Sequence, residues 1–152
     1  MSEYRIEKVR RRVSVTLSGG SMLHGEIFLQ PTARYRAGAQ DPSELFNENE
    51  AFVPLATGGN DLVLLSKRNV SRVQYDADAA DTDGRGGTDA SVEVVFTDGT
   101  RLSGLLRLEA RTDRSRLLDY LNADHQRFLT LRSSNRIWLV NREQIAQVLQ
   151  RQ

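Results

Sequence analysis

Apolar residues alternate with polar ones at Val13, Val15 and Leu17, pause at a polar stretch through Gly20, and resume at Leu23, Ile27 and Leu29. A period of two on both sides of a glycine turn predicts a β-hairpin, because successive strand side chains point to opposite faces. The phrase is written twice. Val92, Val94, Phe96, Gly99, Leu102, Gly104, Leu106 and Leu108 match Val13, Val15, Leu17, Gly20, Leu23, Gly25, Ile27 and Leu29 without a gap. In the second version the turn carries Asp98-Gly99, a pair favoured where φ must be positive. Gly25 and Gly104 fall inside the returning strands, where glycine predicts a bulge or the strong bend of a small curved barrel.

The match continues. "SELFNENEAFVPL" (43–55) lies over "DYLNADHQRFLTL" (119–131), aligning Leu45 with Leu121, Phe52 with Phe128 and Leu55 with Leu131; "LVLLSKRNVSRV" (62–73) lies over "IWLVNREQIAQV" (137–148). Residues 13–73 and 92–148 are therefore two copies of one unit, and a repeat decides the fold before any local detail does. In each copy a short helix is predicted after the first hairpin, starting at Pro42-Ser43 in the first. A second hairpin turns at Gly58-Gly59-Asn60 and at Ser133-Ser134-Asn135, and a last strand covers about 69–75 and 144–149. The expected fold is mainly β: two tandem five-stranded SH3-like small barrels, each with a short helix between its second and third strands. The first repeat takes residues 1–75 and the second 92–152. Residues 76–91, rich in Asp, Gly and Ala, read as a flexible linker with almost nothing to bury. Its spaced aspartates raise a calcium loop, but the closing glutamate of an EF-hand is missing.

Two segments break the alternation. Leu62-Val63-Leu64-Leu65 and Ile137-Trp138-Leu139-Val140 are apolar at every position. An antiparallel strand with one wet face should alternate, so these strands are expected to be covered on both sides, the second cover coming from another copy. A strand sunk in its own domain's core fits the same pattern. Val63, Leu65, Trp138 and Val140 are the candidate interface residues. Trp138 is the natural anchor, since tryptophan is enriched at interface hot spots, with ordinary core packing as its alternative.

Composition narrows the chemistry. The chain has 152 residues, 39% hydrophobic and 27% charged, as expected of a soluble globular protein. Halves of roughly 60 residues bury only about 60% of their unfolded surface, so neighbours that cover their edges would matter. The sequence shows no apolar run long enough to span a bilayer, and "MSEYRIEKVRRR" is charged where a signal peptide needs an apolar stretch; the expectation is a cytoplasmic protein with no membrane partner. The absence of cysteine excludes disulfides, thiolate zinc sites and a cysteine nucleophile. A net charge of +1 gives no general bias toward nucleic acid. Only Lys8 and Lys67 are lysine, which fits a GC-rich genome, although arginine also suits bidentate phosphate contacts.

Strands in this order, opening on V-x-V-x-L-x-x-G-x-x-L-x-G-x-I, resemble the Sm/LSm/Hfq family of small β-barrels. The first Sm motif resembles 13–29 and again 92–108; the second resembles "LVLLSKRNVSRV" and "IWLVNREQIAQV". The resemblance implies edge-to-edge association of the last two strands into rings, with single-stranded RNA bound at the pore of many members. Two fused copies then imply either three chains in a pseudo-hexameric ring or an intrachain dimer. At the family's Arg-Gly the chain has Ser66-Lys67 and Asn141-Arg142; Asn69 falls on the family's asparagine, but Gln144 replaces it in the second copy. The candidate nucleic-acid contacts are Arg10, Arg11, Arg12, Tyr35, Lys67, Arg68, Asn69 and Arg142, because arginine and aromatics neutralise phosphate and stack on bases. A solvated, charged strand end explains Arg10–Arg12 equally well.

No catalytic constellation stands out. His24 and His125 lie in different elements and are replaced by Ser103 and Asn49 in the other copy; neither has a nucleophile or carboxylate spaced around it. No cofactor, metal or small-molecule substrate is expected. The sequence points to a non-enzymatic bacterial protein that assembles with itself through its β-edges, with an RNA-binding ring as the alternative.

Overall fold

The computed structural model describes residues 8–33, 38–78, 88–108, 117–123 and 126–151. β1 (Val9–Leu17) and β2 (Met22–Leu29) form the first hairpin, with Val13 opposite Gly25 and Val15 opposite Leu23. Gly20 turns it at φ 97°, in the region that favours glycine. There follow α1 (Pro42–Phe46), β3 (Phe52–Gly58), β4 (Asp61–Ser66), a 3-10 turn (Lys67–Asn69) and β5 (Val70–Asp76). The second copy repeats the order as β6 (Thr88–Phe96), β7 (Arg101–Leu108), α2 (Leu117–Ala123), β8 (Phe128–Ser133), β9 (Arg136–Asn141), a 3-10 turn (Arg142–Gln144) and β10 (Ile145–Gln150).

The duplication extends to the pairing registers. Val15 faces Val73 and Leu17 faces Val70, with a slip between Thr16 and Leu17; Val94 faces Val148 and Phe96 faces Ile145, with the slip at the matching place. Both inner glycines have one cause. A Cβ on Gly25 would lie 2.3 Å from the Ala56 carbonyl oxygen, and one on Gly104 would lie 2.5 Å from that of Arg132. The glycines let the returning strand bend under the next hairpin. α1 starts where Pro42 predicts: Asp41 accepts from the Glu44 N–H while the Glu44 carboxylate accepts from the Asp41 N–H, a complete capping box.

The ten strands form one antiparallel sheet in the order β10-β6-β7-β8-β9-β5-β1-β2-β3-β4. The mainly β class holds, but the hydrogen bonding does not make two separate closed barrels. Each half keeps its five strands together, and the halves are joined where β5 pairs with β9. The ladder hydrogen bonds on the outer side of β5 therefore go to the second half. β6 also begins at Thr88, earlier than the linker reading places it, with Ala90 opposite Leu106 and Ser91 opposite Leu105; the polar composition of this stretch hides its strand.

Each half has its own core. Val13, Val15, Ile27, Leu29, Phe46, Leu55 and Val73 build the first, and Val92, Val94, Phe96, Leu106, Leu129, Leu131 and Val140 the second. The first core also receives Phe128, Ile137 and Leu139 from the second half.

Candidate functional site

β9 serves two cores because its side chains alternate between two apolar faces. Trp138 and Val140 pack into the second half, while Ile137 and Leu139 cross into the first. Its backbone runs against β5, with Val140 opposite Arg72, Leu139 opposite Val73, Trp138 opposite Gln74, Ile137 opposite Tyr75 and Arg136 opposite Asp76. Burying the transferred side chains favours this joint by about 1.5–3 kcal/mol each.

Polar contacts fix its geometry. The Phe46 ring meets that of Phe128 edge-on, 5.3 Å between centroids. Asn47 grips the Phe128 backbone from both sides, its Oδ1 accepting from the N–H at 2.8 Å and its Nδ2 donating to the carbonyl at 3.2 Å. Asn141, fully buried, donates to the Val70 carbonyl at 2.8 Å and approaches those of Lys67 and Arg68 at 3.3 Å. The Arg72 guanidinium lies 4.5 Å from the centre of the Phe96 ring and 3.6 Å from Asp98. Asp98 is held below the usual carboxylate range, first by the Thr100 backbone N–H and then by the Thr100 hydroxyl, with Arg72 adding to the effect. At the far end Arg136 stands 3.9 Å from Asp76.

The same surfaces recur at the two ends of the sheet without a covering strand. Phe52, Leu62 and Leu64 occupy the positions of Phe128, Ile137 and Leu139; they are 58%, 55% and 65% exposed, against 0%, 3% and 0% for their counterparts. At the opposite end β10 repeats β5, and Leu149 is exposed while Val148 is half-buried. The double coverage expected of the apolar runs is met by 137–140, whereas 62–65 has its second face bare. The face named from sequence is the other one: Leu65 is buried and Val63 packs in the first half's core, as Val140 and Trp138 do in the second. The residues that cross the joint are their neighbours, Ile137 and Leu139, with Leu62 and Leu64 at the matching positions. An unbroken apolar run carries no phase to tell the two faces apart.

The candidate nucleic-acid contacts divide into separate places. Arg10, Arg11 and Arg12 sit at the start of β1; Arg10 lies over Phe28 and reaches Glu26, and Arg11 lies over Tyr75 and donates to the Asp76 carbonyl. Lys67, Arg68 and Asn69 lie beyond the other end of β1, where Ser18 N–H donates to the Asn69 carbonyl, roughly 20 Å away at the rise of an extended strand. Lys67 is 1% exposed, its Nζ donating to the Leu45 and Glu48 carbonyls at 3.1 and 3.0 Å, and burial pushes its pKa below the lysine value. Its counterpart Arg142 does the same work, donating to the carbonyls of Leu121 and Gln126. Both cations tie their turn to a carbonyl in the last turn of the preceding helix and to one just after it. Arg68 and Asn69 are exposed, and Arg68 lines a cleft of about 280 Å³ with Ala51, Ser66, Arg127 and Glu143. Tyr35 and His125 lie outside the described residues. His24 is bonded to Ser14 at 2.8 Å on an exposed stretch of the β1–β2 hairpin. Among the described residues no cluster of His, Asp and Glu could hold a metal ion, and no helix is long and apolar enough to cross a membrane. Comparison with family models, with curated proteins and with solved structures finds no match to this chain.

Proposed function

We propose that this chain is a non-enzymatic assembly module, two Sm-like small-barrel halves that work by pairing their free edge strands with further copies of the chain. One observation carries the reading: the surface that β8 and β9 bury inside the chain is repeated on β3 and β4 and left open there, with Phe52, Leu62 and Leu64 in solvent. Exposed strand edges are templates for further pairing, and an apolar face beside one adds the hydrophobic drive. Light scattering should give a multiple of the 17.1 kDa chain mass. Leu62→Glu with Leu64→Glu should return it to a single chain with an unchanged far-UV circular dichroism spectrum. A wild-type chain that stays single at high concentration sinks the reading.

The second reading is an Sm-like ring that binds single-stranded RNA, favoured by exposed Arg68 and Asn69 beside the cleft that Arg127 shares. It predicts gel shifts of short RNA oligomers that weaken steeply with salt and are lost on Arg68→Glu. Lys67 and Arg142, committed to helix carbonyls, add nothing to it.

A further inference from the structure

The internal joint is a template for the external one. β9 and β4 are the same strand of the repeated unit, as are β5 and β10, so the sheet ends in the two unmatched halves of an interface that it already contains once. We infer that β4 of one chain pairs with β10 of a second copy, head to tail, in the register β9 uses with β5. This rests on the assembly reading above and names its partner and alignment.

Transferring the observed register through the repeat sets Gln147 opposite Leu65, Val148 opposite Leu64, Leu149 opposite Val63, Gln150 opposite Leu62 and Arg151 opposite Asp61. Leu62 and Leu64 then enter the second half's core of the neighbouring chain, beside Val148, as Ile137 and Leu139 enter the first half's core here.

The charges support the same alignment. Inside the chain Arg136 on β9 meets Asp76 on β5. At the open edges the signs are inverted: Asp61 stands on β4 and Arg151 beyond β10. Arg151 already gives one nitrogen to Glu93 at 2.7 Å, which leaves further guanidinium donors for a second carboxylate. The free edges of each chain are one β4 and one β10, so joining them head to tail makes first and second halves alternate around the assembly.

The chain has no cysteine, so introduced pairs report alone. Directly opposed antiparallel residues lie about 4.5–5.5 Å apart at Cα, within disulfide reach. Val63→Cys with Leu149→Cys, and independently Leu62→Cys with Gln150→Cys, should form interchain disulfides under mild oxidation, giving multimers on a non-reducing gel. Leu62→Cys with Leu149→Cys places the thiols on opposite faces and should link at least tenfold less. Equal linking by that control, a disulfide within one chain, or no link in either pair while the wild type is multimeric would each overturn the register and leave edge assembly standing. A single-chain wild type overturns both. Asp61→Arg should weaken association about fivefold at low salt; an unchanged dissociation constant removes the ion pair from the inference.

Discussion

At the scale of single residues the repeat is held by a few backbone demands. Gly25 and Gly104 face main-chain oxygens that cannot retreat without breaking a strand pair. Alanine at either position should cost roughly 1–3 kcal/mol, the range for forced overpacking, read from urea unfolding, and the two losses should agree in sign and size. Asp98 gives a pH test. Its folded pKa lies below the ordinary value of 3.8, chiefly through the Thr100 N–H, so its ionised form favours the folded state. That contribution is complete above 3.8 and is lost as pH falls through the lowered value. The wild type should therefore lose stability relative to Asp98→Asn on acidification across that window; parallel curves would count against it. Glycine and Asp-Gly positions are visible from spacing alone. The burial of Lys67 is not, because a lysine beside an arginine reads as surface until the helix carbonyls that hold it are in place.

Among the elements, the informative contrast is between β4 and β9, which share a sequence pattern and differ in cover. Leu139→Ala should destabilise the chain by about 2–5 kcal/mol, the cost of emptying a filled core site. Leu64→Ala, at the matching position, should leave single-chain stability within about 0.5 kcal/mol and instead weaken association. Urea unfolding at a concentration where the chain is single, paired with sedimentation as a function of concentration, reads both. Equal losses from the two substitutions would mean that β4 is already covered. Hairpins, turns and both helices were legible because their periods and caps are local. Which face of a wholly apolar strand looks outward was not, since that depends on what lies beyond it.

For the molecule as a whole, the long-range event is the joining of two halves through β5 and β9, with Phe128, Ile137 and Leu139 of one half completing the core of the other. Local pattern found the duplication and, in the unbroken apolar run 137–140, one strand of the seam, but not its partner or register, because β5 carries no matching mark. Unfolding should accordingly be a single transition, with Trp138 fluorescence and far-UV circular dichroism coincident across urea. Two separated transitions would make the halves independent.

Covalent duplication also sets arithmetic on any closed form. Every chain brings its halves in pairs, so rings with an odd number of units are forbidden. Half of the seams are tethered and indifferent to dilution; the rest obey mass action. Diluting such a ring should open it only between chains, into pieces that each keep one seam intact and one sticky end of each kind.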